Sequence, residues 1–330
     1  MAEPLHVHIQ NPAGETLFPL THAQWQEACA RAGAAARDLR VSFADDDPGF
    51  AAAMRTADVL ITWAKEIKAR FPCPAPRLKW VMATSAGLDR LAPFDMVPPH
   101  VRLLNNSGAH AEKAGEWGLM AVLMIANRIP ALVTAQRTGK WAPLFGHSVS
   151  GRTAVIVGLG DLGGTIATRC AALGMTVIGC SARGAPHPAC ARVVASGDLD
   201  TVLPGADVLV LAMPLTAATR GMITRGLLSL LPLRAGVVNL ARGGVIDQDA
   251  LCDMLEAGRL SGAVLDVFDP EPIPPGHRLW RTPNLIISPH VSSDDPDTYN
   301  PRTLDIFFRN LIAWRAGAAM PNEVDRARGY

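Results

Sequence analysis

Aromatic side chains are scarce in this chain, 5% of 330 residues, so platforms for stacking nucleic-acid bases are not expected. An excess of one charge sign is missing too. The 31 basic residues face 30 acidic ones, and a balance of +1 gives no electrostatic ground for a nucleic-acid or anionic-membrane partner. There is no long apolar run. The longest, Gly118 to Ala126, has nine residues where a membrane span needs about twenty, so a buried helix and no membrane association are expected. C-x-x-C pairs are absent. The six cysteines, at 29, 73, 170, 180, 190 and 252, lie far apart and read as reduced thiols of a cytoplasmic protein. Met1 to Gln10 lack a basic stretch leading into an apolar one, so no secretory leader is expected.

Apolar side chain is abundant, 49% against 18% charged, and that excludes general disorder. At roughly 150 residues per domain the length suggests two domains with substantial cores. Short β-branched runs alternate with helical patterns. Val7–Ile9, Val41–Phe43, Val59–Thr62, Lys79–Ala83 and Arg102–Asn105 form one group of expected strands. Ala154–Val157, Thr176–Gly179, Val208–Leu211, Val237–Leu240, Ala263–Asp266 and Leu285–Ile287 form the second. Continuous apolar strands separated by helices predict α/β architecture with two doubly wound parallel sheets. Ala109–Ile129 reads as one helix halted by Pro130, and its all-round apolar stretch Leu119–Ile125 predicts packing between subunits. A last helix near Thr298–Ala316 is expected to return to the first domain. The expected division is 1–105 plus 291–330 for one domain and 106–290 for the other.

The strand Ala154–Val157 runs into Gly158-Leu-Gly160-Asp-Leu-Gly163-Gly164 and then an apolar-faced helix, with a second strand completing a βαβ unit. In such a loop Gly158 permits the tight turn, Gly160 lets a pyrophosphate approach the backbone, and Gly163 lets the helix pack closely. The helix N-terminus offers free N–H groups to the phosphates. A carboxylate at the end of the second strand would select NAD by binding the ribose hydroxyls. Here that strand ends Cys180-Ser181-Ala182-Arg183. Ser181 and Arg183 could bind a 2′-phosphate, which predicts a preference for NADP(H), with NAD(H) as the alternative.

Three later strand ends carry Arg242, Glu271 and His290. His suits proton delivery near neutral pH, a carboxylate beside it orients the ring, and Arg holds an anionic substrate, a set suited to reducing a 2-keto acid. Trp63, after a strand of the first group, is a candidate lining residue for the substrate pocket, while Trp141 reads as packing between subunits. Cys180, His187 and Cys190 lie in a proline-flanked loop without a fourth ligand, so no metal is expected.

With these motifs in hand, the chain resembles the D-isomer-specific 2-hydroxyacid dehydrogenase family. The matching residues are Gly158–Gly164, Pro214-Leu-Thr216 with Thr219, Asn239-Leu-Ala-Arg-Gly-Gly244 with Asp247, Asp266-Val-Phe with Glu271-Pro272, and Ser288-Pro-His290. Asn310-Leu, Gly317 and Asn322-Glu-Val-Asp325 also fit, so the likeness covers about Lys79 to Tyr330 well and the first 78 residues loosely. The resemblance implies a Rossmann cofactor domain inserted into a flavodoxin-like substrate domain, and a homodimer. It implies His290 as proton donor, Glu271 as its partner and Arg242 as substrate anchor. Backbone N–H groups of Ser85, Ala86 and Gly87 would hold the substrate carboxylate. Asp161 and Leu162 would sit by the pyrophosphate, Pro214 with Thr219 on the adenosine side, and Leu240, Ala241 and Asp266 beside the nicotinamide. Ser181 departs from the family's usual NAD-selecting Asp. The expected activity is reduction of a small 2-keto acid such as glyoxylate or hydroxypyruvate. The alternatives are an NAD-linked dehydrogenase of a bulkier 2-hydroxy acid and a non-catalytic, cofactor-sensing regulator of the same fold.

Overall fold

Strands that are apolar on both faces must be covered on both sides, and parallel sheets wrapped by helices achieve this. The computed structural model, which describes residues 3–14 and 17–330, contains two such sheets. The chain divides into two compact units, residues 1–110 with 295–330 and residues 111–294.

The first unit holds β1 (Leu5–Gln10), β2 (Leu39–Ala44), β3 (Val59–Thr62), β4 (Trp80–Ala83) and β5 (Arg102–Leu104), with helices α1 (His22–Ala32), α2 (Asp47–Met54) and α3 (Ala64–Arg70) between the early strands. All pairings are parallel, in the order β2-β1-β3-β4-β5, which is the flavodoxin-like arrangement. Thr21 and Gln24 form a reciprocal capping box at the start of α1, and Asp46 caps α2. Buried along β1 is a polar ladder. Gln10 Oε1 accepts a hydrogen bond from His8 Nε2–H at 3.1 Å, Ser42 bridges His8 Nδ1 at 2.8 Å and His6 Nε2 at 2.7 Å, and Arg40 donates to His6 Nδ1 at 2.8 Å. Burial, reinforced at His6 by the Arg40 charge, keeps both imidazoles below their ordinary pKa.

The second unit opens with α4 (Ala111–Ala126) and α5 (Ile129–Arg137), where the sequence suggests one helix over Ala109–Ile129 and nothing helical beyond it. The two are bent by 69°. Arg128 adopts a left-handed φ of +59° between them, and Pro130 sits in the first turn of α5, where its missing N–H costs nothing. Pro130 therefore starts a helix, which corrects the expectation that it stops one. α4 buries Ala114, Gly115, Gly118, Ala121, Val122 and Ile125, while Leu119, Leu123 and Met124 stay half-buried and Met120 exposed. No single helix among the described residues is long and apolar enough to cross a membrane.

β6 (Thr153–Val157), α6 (Asp161–Ala172), β7 (Thr176–Ser181), β8 (Arg192–Ala195), β9 (Val208–Leu211), α7 (Arg225–Ser229), β10 (Gly236–Asn239), α8 (Gln248–Glu256), β11 (Gly262–Leu265) and β12 (Leu285–Ile287) complete this unit. The order β12-β11-β10-β9-β6-β7-β8 is the Rossmann sequence with one added edge strand. β8 was not foreseen, because Arg192 and its half-buried neighbours lack the continuous apolar signal of the inner strands. The strand order reverses between β6 and β9, and open α/β sheets bind ligands at the carboxyl ends of strands there. The chain then returns to the first unit as α9 (Tyr299–Arg315), whose Leu304, Phe307, Phe308 and Leu311 share a core with Val7, Ile9, Trp80 and Met82. Asn106 to His110 also belong to the first unit, beyond the expected boundary at 105. Asn106 donates to Thr84 O and Thr303 Oγ1, and Arg302 reaches Ala109 O.

Candidate active site

The loop after β6 makes its turn at Gly158, with φ +92°, where a Cβ would lie 2.6 Å from Met213 N in the chain after β9. Gly163 lets α6 close on that turn, since a Cβ there would meet Gly158 O at 1.8 Å. Gly160 differs: a Cβ would meet nothing within 4 Å and the backbone has φ −72°. The fold itself has no need of glycine at 160, so its bareness serves whatever lies against the loop. Gly160 is also the N-cap of α6 and supplies no side-chain cap, so the start of the helix at Asp161 and Leu162 faces the bare glycine turn. These residues fit the pyrophosphate of a nicotinamide dinucleotide. Gly160→Val is expected to leave the unfolding midpoint within about 1 °C of wild type. It should weaken NAD(P)H binding at least tenfold, about 1.4 kcal/mol, in a fluorescence titration.

Around this loop, Thr219 Oγ1 donates to Pro214 O at 2.6 Å and accepts the Thr216 N–H at 2.8 Å, closing the exposed turn that carries Pro214. At the end of β7 Arg183 is exposed, whereas the Ser181 hydroxyl is turned inward and has no hydrogen-bond partner among the described residues. His187 packs on the first turn of α6, with Nε2 2.9 Å from the place a Gly164 Cβ would occupy and Nδ1 accepting the Ala189 N–H. Sequence reasoning weighed this histidine only as a metal ligand and missed its seat beside the glycine loop.

Three sequence-predicted residues meet at the carboxyl ends of β10, β11 and β12. His290 Nδ1 lies 2.9 Å from Glu271 Oε2, and Glu271 Oε1 accepts the Phe268 N–H at 2.8 Å. Burial alone would raise the Glu271 pKa. The bonds from His290 and Phe268, with the Arg242 charge nearby, outweigh it and hold the carboxyl below its ordinary value. Arg242 follows β10 in a turn held by Asn239, whose Nδ2 donates to Arg242 O at 3.0 Å while Oδ1 accepts the Ala241 N–H. The next residue is Gly243 because a Cβ there would meet Phe268 C at 1.9 Å; this contact presses the arginine turn against the segment bearing Glu271. Leu240 and Ala241 are buried in the same turn.

Asp266 sets the His290 turn. Its buried carboxylate accepts from Ser288 Oγ at 2.6 Å and from the N–H groups of Val291 and Ser292 at 3.0 Å, and its carbonyl accepts the His290 N–H at 2.8 Å. These bonds hold His290 at a left-handed φ of +56°. The loop Ser85, Ala86, Gly87 follows β4 in the first unit. It is braced by Asn106, whose N–H donates to Ser85 O, and by the Tyr299 hydroxyl on Thr84 O. Trp63 is half-buried, its ring 6.2 Å from that of Tyr299. Asn106 and Tyr299 carried no local sequence signal, because their partners lie 22 and 215 residues away.

Residues 119–292 match the family model described as D-isomer specific 2-hydroxyacid dehydrogenase, NAD binding domain. A glyoxylate reductase of Thermococcus onnurineus is 33% identical over 285 residues, 83% of this chain and 84% of that protein. A glyoxylate/hydroxypyruvate reductase A of Serratia proteamaculans is 31% identical over 77% of this chain and 82% of its own. A D-isomer specific 2-hydroxyacid dehydrogenase from Xanthobacter autotrophicus Py2, solved with NADPH and MES, superposes with a TM-score of 0.80 at 29% identity, covering 100% of both chains. The chain belongs to the D-isomer specific 2-hydroxyacid dehydrogenase family and is an NAD(P)-dependent oxidoreductase.

Proposed function

We propose that this enzyme reduces small 2-keto acids, glyoxylate or hydroxypyruvate, with NADPH, giving the D-2-hydroxy acid where the product is chiral. The observation that carries the reading is the His290–Glu271 pair at 2.9 Å with the Arg242 charge acting on the same carboxylate. The bound nicotinamide supplies the hydride. Glu271, held ionised, accepts a hydrogen bond from His290 Nδ1–H and fixes the ring, so that the Nε2–H proton can pass to the substrate oxygen while Nδ1–H stays on the ring. Arg242 anchors the keto acid through its guanidinium, and the N–H groups of Ser85, Ala86 and Gly87 bind the carboxylate. Asp161, Leu162, Pro214, Thr219, Leu240, Ala241 and Asp266 border the cofactor in this reading, and Trp63 lines the substrate pocket.

NADPH preference rests on the carboxylate-free end of β7. Arg183 offers a guanidinium to the 2′-phosphate, and the Ser181 hydroxyl reaches it by turning to another staggered rotamer. That the Xanthobacter relative was solved with NADPH supports this choice. A homodimer is part of the proposal, carried by the open side of α4 and by Trp141 and Phe145, 99% and 85% exposed on the segment after α5. Sedimentation equilibrium giving a monomer would remove it. A cytoplasmic location rests on six cysteines without a disulfide among them.

The test follows oxidation of NADPH and NADH with glyoxylate, hydroxypyruvate, pyruvate and phenylpyruvate. Fast NADPH turnover on the two small acids is expected, and Ser181→Asp is expected to move the NADPH/NADH ratio of kcat/KM at least tenfold toward NADH. NADH preference in the wild type would overturn the selector. Turnover of phenylpyruvate alone would favour a bulkier substrate, and cofactor binding without any turnover a regulator.

A further inference from the structure

A second charged cavity lies at the opposite end of the Rossmann sheet. Arg152 precedes β6, Asp207 precedes β9 and Arg234 lies just before β10, so the cavity sits at the amino ends of strands whose carboxyl ends carry the glycine loop and the Arg242 turn. At about 3.3 Å per residue, four or five residues put it roughly 15 Å from those loops. Its volume is about 50 Å³. Val122, Ile125, Val149, Met175 and Val208 give it apolar walls; Arg128, Arg152, Arg234, His147 and Asp207 give it a charged rim.

The charges do not balance. Asp207 is shared by Arg234 at 2.7 Å and Arg152 at 3.5 Å, and it also accepts the Thr153 N–H. Arg128 is left over. Its Nε is buried, and among the described residues no acceptor lies within hydrogen-bond distance of it. Arg128 is half-buried overall, its buried Nε lacks such an acceptor, and three arginines against one aspartate favour an anion. The apolar walls narrow the choice: a bare phosphate would desolvate against valine and methionine, whereas an aliphatic tail would gain by burial. We propose that this cavity binds a small aliphatic carboxylate, its head on Arg128 and its tail among Val122, Ile125 and Met175, separately from the substrate.

The experiment measures thermal unfolding of the full chain with saturating NADPH, titrated with butyrate at constant ionic strength against chloride. A parallel titration uses inorganic phosphate. At ligand tenfold above its Kd, a rise of about 2 °C is expected for butyrate. Arg128→Met should abolish the rise, and Arg242→Met, which impairs the substrate site, should retain it. Arg234→Met, at the more exposed rim, should weaken butyrate affinity at least threefold and serves if Arg128→Met fails to fold. The proposal is overturned by no rise in the wild type, by an equal rise in Arg128→Met, by loss in Arg242→Met, or by unchanged affinity in Arg234→Met. An equal, Arg128-dependent rise with phosphate would overturn the assignment of an aliphatic ligand.

Discussion

His290→Asn is expected to lower kcat/KM for glyoxylate by about 10²–10⁴-fold while NADPH affinity stays within about twofold, because proton delivery by one positioned side chain is worth that much. Asparagine is the informative replacement. Position 290 has φ +56°, a left-handed conformation that asparagine adopts readily and alanine does not, so His290→Ala would mix lost chemistry with backbone strain. The bonds that set the turn run from Asp266 to Ser288 Oγ and to backbone N–H groups, none of which the substitution removes. Initial rates with cofactor titrated separately check the result. A loss smaller than tenfold would mean that another group delivers the proton.

Arg242→Met is expected to cost about 10³-fold in kcat/KM, about 4 kcal/mol, with KM for the keto acid rising and kcat falling together. An anchor that binds only the ground state would raise KM alone. One that also stabilises the developing negative charge lowers kcat as well. Arg242→Lys keeps a positive charge but loses the planar fork, so a recovery of about tenfold over the methionine variant is expected. Both substitutions remove the bond from Arg242 Nη1 to Ala241 O at 2.7 Å, but the Asn239 bonds and the close approach at Gly243 still hold the turn. Steady-state kinetics on glyoxylate decide the matter, and unchanged kcat in Arg242→Met would reduce Arg242 to a binding role.

Much of this architecture is legible in the chain because the signals are local. Val208–Leu211 and Ala263–Leu265 are apolar throughout, so they read as inner parallel strands, and the structure buries them completely. The glycine loop is legible for the same reason: strand, turn and helix lie within about twenty residues. Edge strand β8 is half-buried and opens on an arginine, so it lacks that signal. The α4–α5 break was misread because the decisive feature is the left-handed Arg128, while Pro130, the visible breaker, is harmless in a first turn.

In the site, residue types pointed to His290, Glu271 and Arg242, but what holds them was hidden. The resemblance put Asp266 beside the nicotinamide. Its carboxylate is engaged by Ser288 and two backbone N–H groups of the His290 turn, a set of bonds spread over 26 residues. Gly243 looked like part of a glycine-rich turn, and only the close passage of Phe268 explains why no side chain fits there. The inward Ser181 hydroxyl is likewise a fact of rotamer and burial, which composition at a strand end does not encode.

The most direct test of the central claim is the configuration of the product formed from hydroxypyruvate and NADPH. Reduction through His290 in this family's site predicts D-glycerate with stoichiometric oxidation of NADPH, both slowed by about 10²-fold or more in His290→Asn. L-Glycerate, or NADPH oxidation that falls less than tenfold in His290→Asn, would contradict it.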